Sequence, residues 1–264
     1  EIMNKLMKYS CFAIMALSAL TFTACTEDYD FDPFTNVENS GFYFTEASDR
    51  ALFYPEDTKS ITVEVCRAES ESKEAATVQL SASSNLVTLP SEVSFAAGES
   101  KKEITIPVAN TPGIHDVDIT IANEKDKFAY GPVTYSQRII VCGEKLSGVF
   151  TSQQLQTTKN VVVYKLGNDG YDIKDCYEEG NDIVFSLDKE SNIIVDDQLA
   201  WNHQKYGPVY VEDYESSIGV YPGSKDYQRY SRYDSESDTY YLTLKHYCAA
   251  GAFGNFSETL KIAR

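Results

Sequence analysis

The sequence predicts an all-β chain, a β-sandwich followed by a second antiparallel module that is either a sandwich or an open barrel. Three observations carry this. From Gly41 onward apolar and polar residues alternate with period two, the mark of half-buried strands. Clusters of Gly, Pro, Asn and Ser separate the alternating runs at short spacing. Between these runs no stretch carries the three-to-four-residue periodicity of a helix.

The first 24 residues stand outside the fold. Lys5 and Lys8 precede an apolar run from Cys11 to Ala19 and on to Phe22, ending in small residues before Cys25. A basic head, a short apolar run and a small-residue cleavage site make a secretory signal. The run is short of the about 20 apolar residues of a membrane span. Met3 is the expected start of translation. Thr23-Ala24-Cys25 resembles a bacterial lipobox, with Phe22 and Leu20 in place of the common leucine three residues before the cysteine. The resemblance implies that Cys25 receives a diacylglyceryl group and becomes the acylated amino terminus, with the lipid bilayer as its partner. Several acyl chains anchor durably where one does not. Glu27, Asp28, Asp30 and Asp32 come directly after it. This run is similar to the acidic export signal of Bacteroidota surface lipoproteins, which implies an outer-membrane protein facing the cell exterior. Residues 25–40 lack periodicity and read as an acidic tether, reaching about 50 Å at roughly 3.3–3.6 Å per residue when extended.

About 240 residues remain, enough for two domains with a core each. The formal charge of −17 repels polyanions, so nucleic acid is not an expected partner, whereas a neutral glycan is compatible with it. With Cys11 in the signal and Cys25 assigned to lipid, Cys66, Cys142, Cys176 and Cys248 are the disulfide candidates of an oxidising compartment. One pairing per domain, Cys66 with Cys142 and Cys176 with Cys248, is the simplest of three connectivities; four buried free thiols are the alternative. No C-x-x-C occurs, so neither a zinc site nor a thioredoxin-like motif is expected.

In residues 41–143 the alternation runs through Ile61-Thr-Val-Glu-Val65, then Val78, Leu80 and Ala82, then Ile104, Ile106 and Val108, then Val117, Ile119 and Ile121. Ala97-Gly-Glu-Ser100 and Asn110-Thr-Pro-Gly113 are the intervening turns. Ser60-Ile-Thr-Val-Glu-Val-Cys-Arg67, Ala76-Thr-Val-Gln-Leu-Ser81, Val93-Ser-Phe-Ala-Ala-Gly-Glu-Ser-Lys-Lys-Glu-Ile-Thr-Ile106 and Asp118-Ile-Thr-Ile-Ala-Asn123 together resemble a Calx-beta-type domain. The F-x-x-G-E turn before the I-T-I strand is the most telling piece. The resemblance implies an immunoglobulin-like sandwich acting as a spacer or adhesion-like module. Calcium-binding members carry an acidic cluster after the last strand, whereas Val141 precedes Cys-Gly-Glu-Lys here; calcium binding is not carried over.

Leu146-Ser-Gly148 reads as a domain junction. Residues 144–264 then predict strands at Val161–Lys165, Tyr171–Lys174, Asp182–Leu187, Asn192–Val195, Gly207–Glu212, Thr239–Tyr247 and Phe256–Ile262. Gly167-Asn-Asp-Gly170 and Glu179-Gly-Asn181 read as hairpin turns, because Gly and Asn accept positive φ. The polar, tyrosine-rich stretch from Asp213 to Asp238 reads as a long loop, and long loops on a rigid scaffold often carry function. This half has a general similarity to C-terminal domains of Bacteroidota surface lipoproteins.

No catalytic signature emerges. H-E-x-x-H and G-x-S-x-G are absent. His246 falls on the apolar phase of Tyr240, Leu242 and Leu244 and reads as a core histidine; His115 sits beside a turn and His203 in a loop after Trp201. Gly251-Ala-Phe-Gly254 lacks the lysine of a phosphate loop and reads as a hairpin turn. Asp234-Ser-Glu-Ser-Asp238 and Asn168-Asp-Gly-Tyr-Asp172 place oxygens at alternate positions without making an EF-hand loop, and read as solvated turns. No cofactor, metal or enzymatic activity is expected. The functional lead is aromatic. Nineteen tyrosines accompany one tryptophan, and Tyr206 and Tyr210 lie near the ligand-binding candidates Trp201, Tyr214, Tyr221, Tyr227, Tyr230 and Tyr233. Flat amphipathic rings stack on sugars and also serve protein interfaces. The expected partner is a glycan bound without catalysis; the alternative is an outer-membrane protein, with the chain a structural or interaction subunit of its assembly.

Overall fold

The computed structural model describes residues 41–48, 50–68, 74–189, 192–214 and 230–263. The stretches expected to be signal and tether, Cys25, Tyr221 and Tyr227 lie outside these. The described chain is all-β, with one short 3-10 turn at Glu124–Asp126 and no helix long and apolar enough to cross a membrane.

The N-terminal half contains β1 (Phe42–Phe44), β2 (Arg50–Phe53), β3 (Ser60–Arg67), β4 (Ala76–Val78), β5 (Leu80–Ala82), β6 (Val93–Phe95), β7 (Lys101–Pro107), β8 (Gly113–Ile121) and β9 (Thr134–Val141). One sheet runs β1-β3-β7, a second β2-β9-β8-β5, and β4 pairs with β6. All pairings are antiparallel except β2 with β9. Alternation supplies the inner faces: Ile61, Val63 and Val65 of β3 pack with Val117, Ile119 and Ile121 of β8 in one shared core. Each such side chain contributes about 1.5–3 kcal/mol when fully buried. The single strand expected across Val78, Leu80 and Ala82 is two. The chain breaks at Gln79 and passes from the β6 pairing to the second sheet, where Ala82 faces Ile119.

The turn before β7 shows why its residues are what they are. Glu99 N–H donates to Ala96 O at 3.0 Å, and Gly98 sits at φ +79°, the conformation a type II turn demands of its third residue. The Glu99 carboxylate accepts from Ala96 N–H at 2.8 Å and pairs with Lys102 at 3.0 Å, and the amide bond holds its carboxyl below the usual range.

The C-terminal half contains β10 (Lys145–Ser152), β11 (Thr157–Lys165), β12 (Gly170–Glu178), β13 (Asn181–Leu187), β14 (Ile193–Ile194), β15 (Gln198–His203), β16 (Gly207–Asp213), β17 (Arg232–Asp234), β18 (Thr239–Cys248) and β19 (Gly251–Ala263). They form one ten-stranded antiparallel sheet in the order β14-β13-β12-β11-β10-β19-β18-β16-β15, with β17 beside β18. The first and last long strands close the centre: Phe150 of β10 faces Leu260 of β19. The expected junction at Leu146–Gly148 therefore lies inside β10, and Trp201 and His203, expected in a loop, lie in β15.

The sheet rolls until its two ends meet, and side chains stitch the seam. Gln198 of β15 donates through Nε2 to Val184 O and accepts at Oε1 from Val184 N–H, each at 2.8 Å, occupying the backbone sites a further strand would take. Farther along, Glu178 Oε2 accepts from Asn202 N–H at 2.9 Å and from Asn202 Nδ2 at 2.8 Å. Phe150, Ile173, Phe185, Val211, Leu242 and Leu260 fill the interior. Gly170 opens β12 at φ +153°, and a Cβ there would lie 1.9 Å from Phe185 O.

A third, smaller core joins the halves through Ile140, Cys142, Tyr164, Leu166 and Val184. Tyr54 stacks on Tyr164 at 4.8 Å and its hydroxyl donates to Asp182 Oδ2. Arg50 donates to Gln198 Oε1 at 2.9 Å and to Asp182 O at 3.1 Å, so the seam is tied to the first half.

The four disulfide candidates are free, buried thiols. Cys66 lies opposite Tyr43 and Lys101 in the first sheet. Cys142 belongs to the inter-half core, with its thiol towards Asp172. Cys176 sits in the C-terminal core, and Cys248 ends β18 opposite Gly251. Each thiol is surrounded by non-cysteine partners, whereas a disulfide needs Cα atoms within about 7 Å and converging Cβ vectors.

Candidate functional site

One group of described rings comes together at one end of the rolled sheet. Two β-bulges arrange them. In β15 Leu199 faces Tyr210 and Trp201 faces Val209, which leaves Ala200 as an extra residue. In β19 His246 faces Gly254 and Tyr247 faces Ala252, which leaves Phe253 as an extra residue. A bulge shifts the side-chain phase by one and re-aims the residues beyond it. Trp201 accordingly shares the inner face with the fully buried Val209 rather than pointing outward.

From these strand ends four rings meet. Trp201 and Phe253 have centroids 5.4 Å apart, Trp201 and His203 5.8 Å, His203 and Phe253 5.4 Å, His203 and Tyr206 4.8 Å, and Tyr206 and Phe253 6.0 Å. Tyr206 is 43% exposed, and Lys205 Nζ lies 5.0 Å over its ring. A depression of about 410 Å³ adjoins the cluster, lined by Tyr206, Cys248, Ala250, Gly251, Ala252 and Phe253. Mouths of β-barrels are a recurrent place for ligands, and flat rings around a concavity suit a ligand with apolar C–H faces and polar rims.

Behind the rings lies a buried polar set. Trp201 Nε1–H donates to His246 Nδ1 at 3.2 Å. An indole nitrogen only donates, so Nδ1 is unprotonated and the neutral imidazole carries its hydrogen on Nε2. Nε2 faces the Tyr177 hydroxyl at 3.4 Å and Glu258 Oε1 at 3.8 Å. Burial lowers His246 to about 4. Burial also raises the Glu258 carboxyl, against hydrogen bonds from Ser152 and the Gln153 amide. Both directions oppose an ion pair between them. His246 is fully buried, as its apolar phase in the sequence predicts.

The six sequence candidates divide. Trp201 lies in the mouth. Tyr214 and Tyr230 meet edge to face at 4.9 Å, at the other end of β16, about 20 Å away along a strand rising roughly 3.3 Å per residue. Tyr233 packs on Tyr240 at 4.6 Å and donates to Asp238 Oδ1 at 2.7 Å, half-buried against the C-terminal core. Tyr221 and Tyr227 lie outside the described residues. Sequence reasoning missed Phe253 because Gly251-Ala-Phe-Gly254 looks like a turn. The chain reverses just before it, and those residues begin β19.

A second concavity of about 330 Å³ lies between the halves, with Arg50 and Arg138 facing Asp116, Asp196 and Asp197. Arg138 bridges Asp116, at 2.9 Å, and Asp196, while Arg50 is held by Gln198 Oε1 and Asp182 O and Asp197 accepts from the Tyr247 hydroxyl, so each of these charges already has a partner within the protein. The oxygen-rich turns are occupied internally: Asp234 caps Glu236 N–H and Ser237, and Asp169 accepts from Ile114 N–H. Among the described residues no three His, Cys, Asp or Glu side chains are arranged to hold a metal ion.

No family model matches the chain, and no curated protein matches it. Among solved structures, it aligns with a protein of Bacteroides ovatus ATCC 8483 proposed to bind carbohydrate, at 10% identity over 81% of this chain and 69% of that one, with a TM-score of 0.30. A likeness that slight implies neither a shared fold nor a shared ligand.

Proposed function

We propose that this chain is a non-catalytic cell-surface lipoprotein that binds carbohydrate through the aromatic mouth of its C-terminal sheet. The observation that carries the reading is the contiguous set Trp201, His203, Tyr206 and Phe253, opening on a depression of about 410 Å³. Two bulges aim these rings at one place, which simple core cover would not require. The excess negative charge favours a neutral glycan over a polyanion. Acylated Cys25 and the acidic tether would hold the protein on the outer leaflet. The N-terminal half, with its sheets around one core and the Glu99 turn, would be the Calx-beta-like, immunoglobulin-like spacer that lifts the mouth from the membrane.

The test is a neutral-glycan array and affinity electrophoresis with residues 26–264, comparing the native protein with a Tyr206→Ala/Phe253→Ala variant. Each ring's stacking is worth about 0.5–1.5 kcal/mol, so the double variant should bind roughly 10-fold or more weakly, with its unfolding midpoint little changed. Absence of glycan binding by the native protein, or equal binding by the variant, would overturn the proposal.

A further inference from the structure

Trp201 belongs to two environments at once. Its ring lies against His203 and Phe253 in the mouth, while its Nε1–H enters the buried set and ends on His246 Nδ1 at 3.2 Å. His246 comes from β18, and β16 separates β18 from β15, so this bond crosses an intervening strand. Two edge-to-face contacts fix the imidazole plane, from Tyr177 of β12 at 5.2 Å and Phe256 of β19 at 5.2 Å. The ring is fully buried and cannot turn to offer water in place of the indole.

We propose that His246 is the positioning residue of the aromatic mouth: its unprotonated Nδ1 holds the Trp201 indole by its edge, and so keeps the ring face against Phe253 and His203.

The role needs the neutral imidazole. Protonation would place a second N–H at Nδ1, donor against donor, and release the indole. The titratable groups facing His246 are Tyr177 from β12 and Glu258 from β19; β15 contributes only the uncharged indole. Burial raises both neighbours, which disfavours the negative charge that would stabilise an imidazolium beside them. Release therefore belongs to acid well below the ordinary histidine range, in keeping with a folded value of about 4. The inference rests on the mouth being the binding site for its biological meaning, though the positioning itself can be read without a ligand.

Trp201 is the chain's one tryptophan, so fluorescence excited at the red edge, beyond the absorption of the nineteen tyrosines, reports this ring alone. The emission is titrated from pH 7.5 to 3.5 in a His203→Asn background, which removes the other imidazole beside the ring, with far-ultraviolet circular dichroism recorded in parallel. The expected result is a step in Trp201 emission with its midpoint near 4, before the β-sheet signal is lost. His246→Asn, which keeps an acceptor near the Nδ1 position, should retain the neutral-pH emission and lose the step. His246→Leu should show shifted emission already at pH 7.5, and about tenfold weaker retention on any glycan that the native protein binds. A step at the ordinary histidine value, no step at all, or a step that persists in His246→Asn would overturn the proposal, as would unaltered emission in His246→Leu. Should the emission pattern hold while no glycan binds, the positioning stands and the carbohydrate reading falls.

Discussion

The buried carboxyl of Asp172, in β12, receives the thiol of Cys142 from the other half of the chain at 4.0 Å. Asp172 is fully buried, and its Oδ1 has no hydrogen-bond partner. Burial first, and then the charge of Asp182, raise its carboxyl to about 8, against the lowering influence of Arg50 and Lys174. Near neutral pH it is therefore mostly protonated, a carboxyl held largely uncharged inside the inter-half core.

That protonation links the junction to pH. A carboxyl with an ordinary value near 4 unfolded and about 8 folded binds its proton more tightly in the native state. Its contribution is complete below the unfolded value and is lost as pH rises through the folded one. The unfolding free energy of the native protein, from urea titration, should fall between pH 6 and 9 by roughly 2–3 kcal/mol from this group. Asp172→Asn should remove that slope, whatever constant offset it adds. Parallel pH profiles for the two proteins would refute the assignment.

The cysteines provide a chemical check on the packing. Cys142 and Cys176 are buried thiols raised above the ordinary value by burial, and therefore poor nucleophiles. A thiol reagent added to unreduced residues 26–264 should react with Cys66, Cys142, Cys176 and Cys248 slowly when folded and fully in denaturant. A chain that yields no thiols in denaturant without reductant would restore the disulfides.

At the start of β12, where it lies against Ser186 of β13, Gly170 should tolerate no side chain. A Cβ would meet Phe185 O at 1.9 Å and Ser186 Cα at 2.8 Å, both backbone, and at φ +153°. Gly170→Ala should cost about 3 kcal/mol or more, in the range of severe backbone conflicts. Gly98→Ala, with open space around it and only the φ +79° conflict, should cost about 1 kcal/mol. Chemical denaturation of both variants measures the contrast, and equal losses would contradict the close approach at Gly170.

Much of the wall of each module is legible in the residues themselves. Ile61, Val63 and Val65, and Val117, Ile119 and Ile121, announce their buried face because side-chain direction in a strand is a local property with period two. The turn at Gly98 is equally local, since φ +79° is a demand on one residue. β10 escapes notice because its inner positions include Gly148 and Ser152, which send no apolar signal. Gly148 is small there because Val163 and Leu260 press on it, with contacts near 3.0 Å for any added Cβ. Nothing near Phe150 in sequence says that its partner is Leu260. The passage of the chain between sheets at Gln79, the extra residues Ala200 and Phe253 in their strands, and the proton on Asp172 all depend on groups brought together by closure of the sheets. Alternation and turn chemistry act over a few neighbouring residues, so the sequence alone determined which faces are apolar and where the chain reverses. Pairing partners, bulges and burial of charge depend on twist and packing over the whole sheet, so only the tertiary structure decided which rings meet in the mouth and which histidine accepts the Trp201 indole hydrogen.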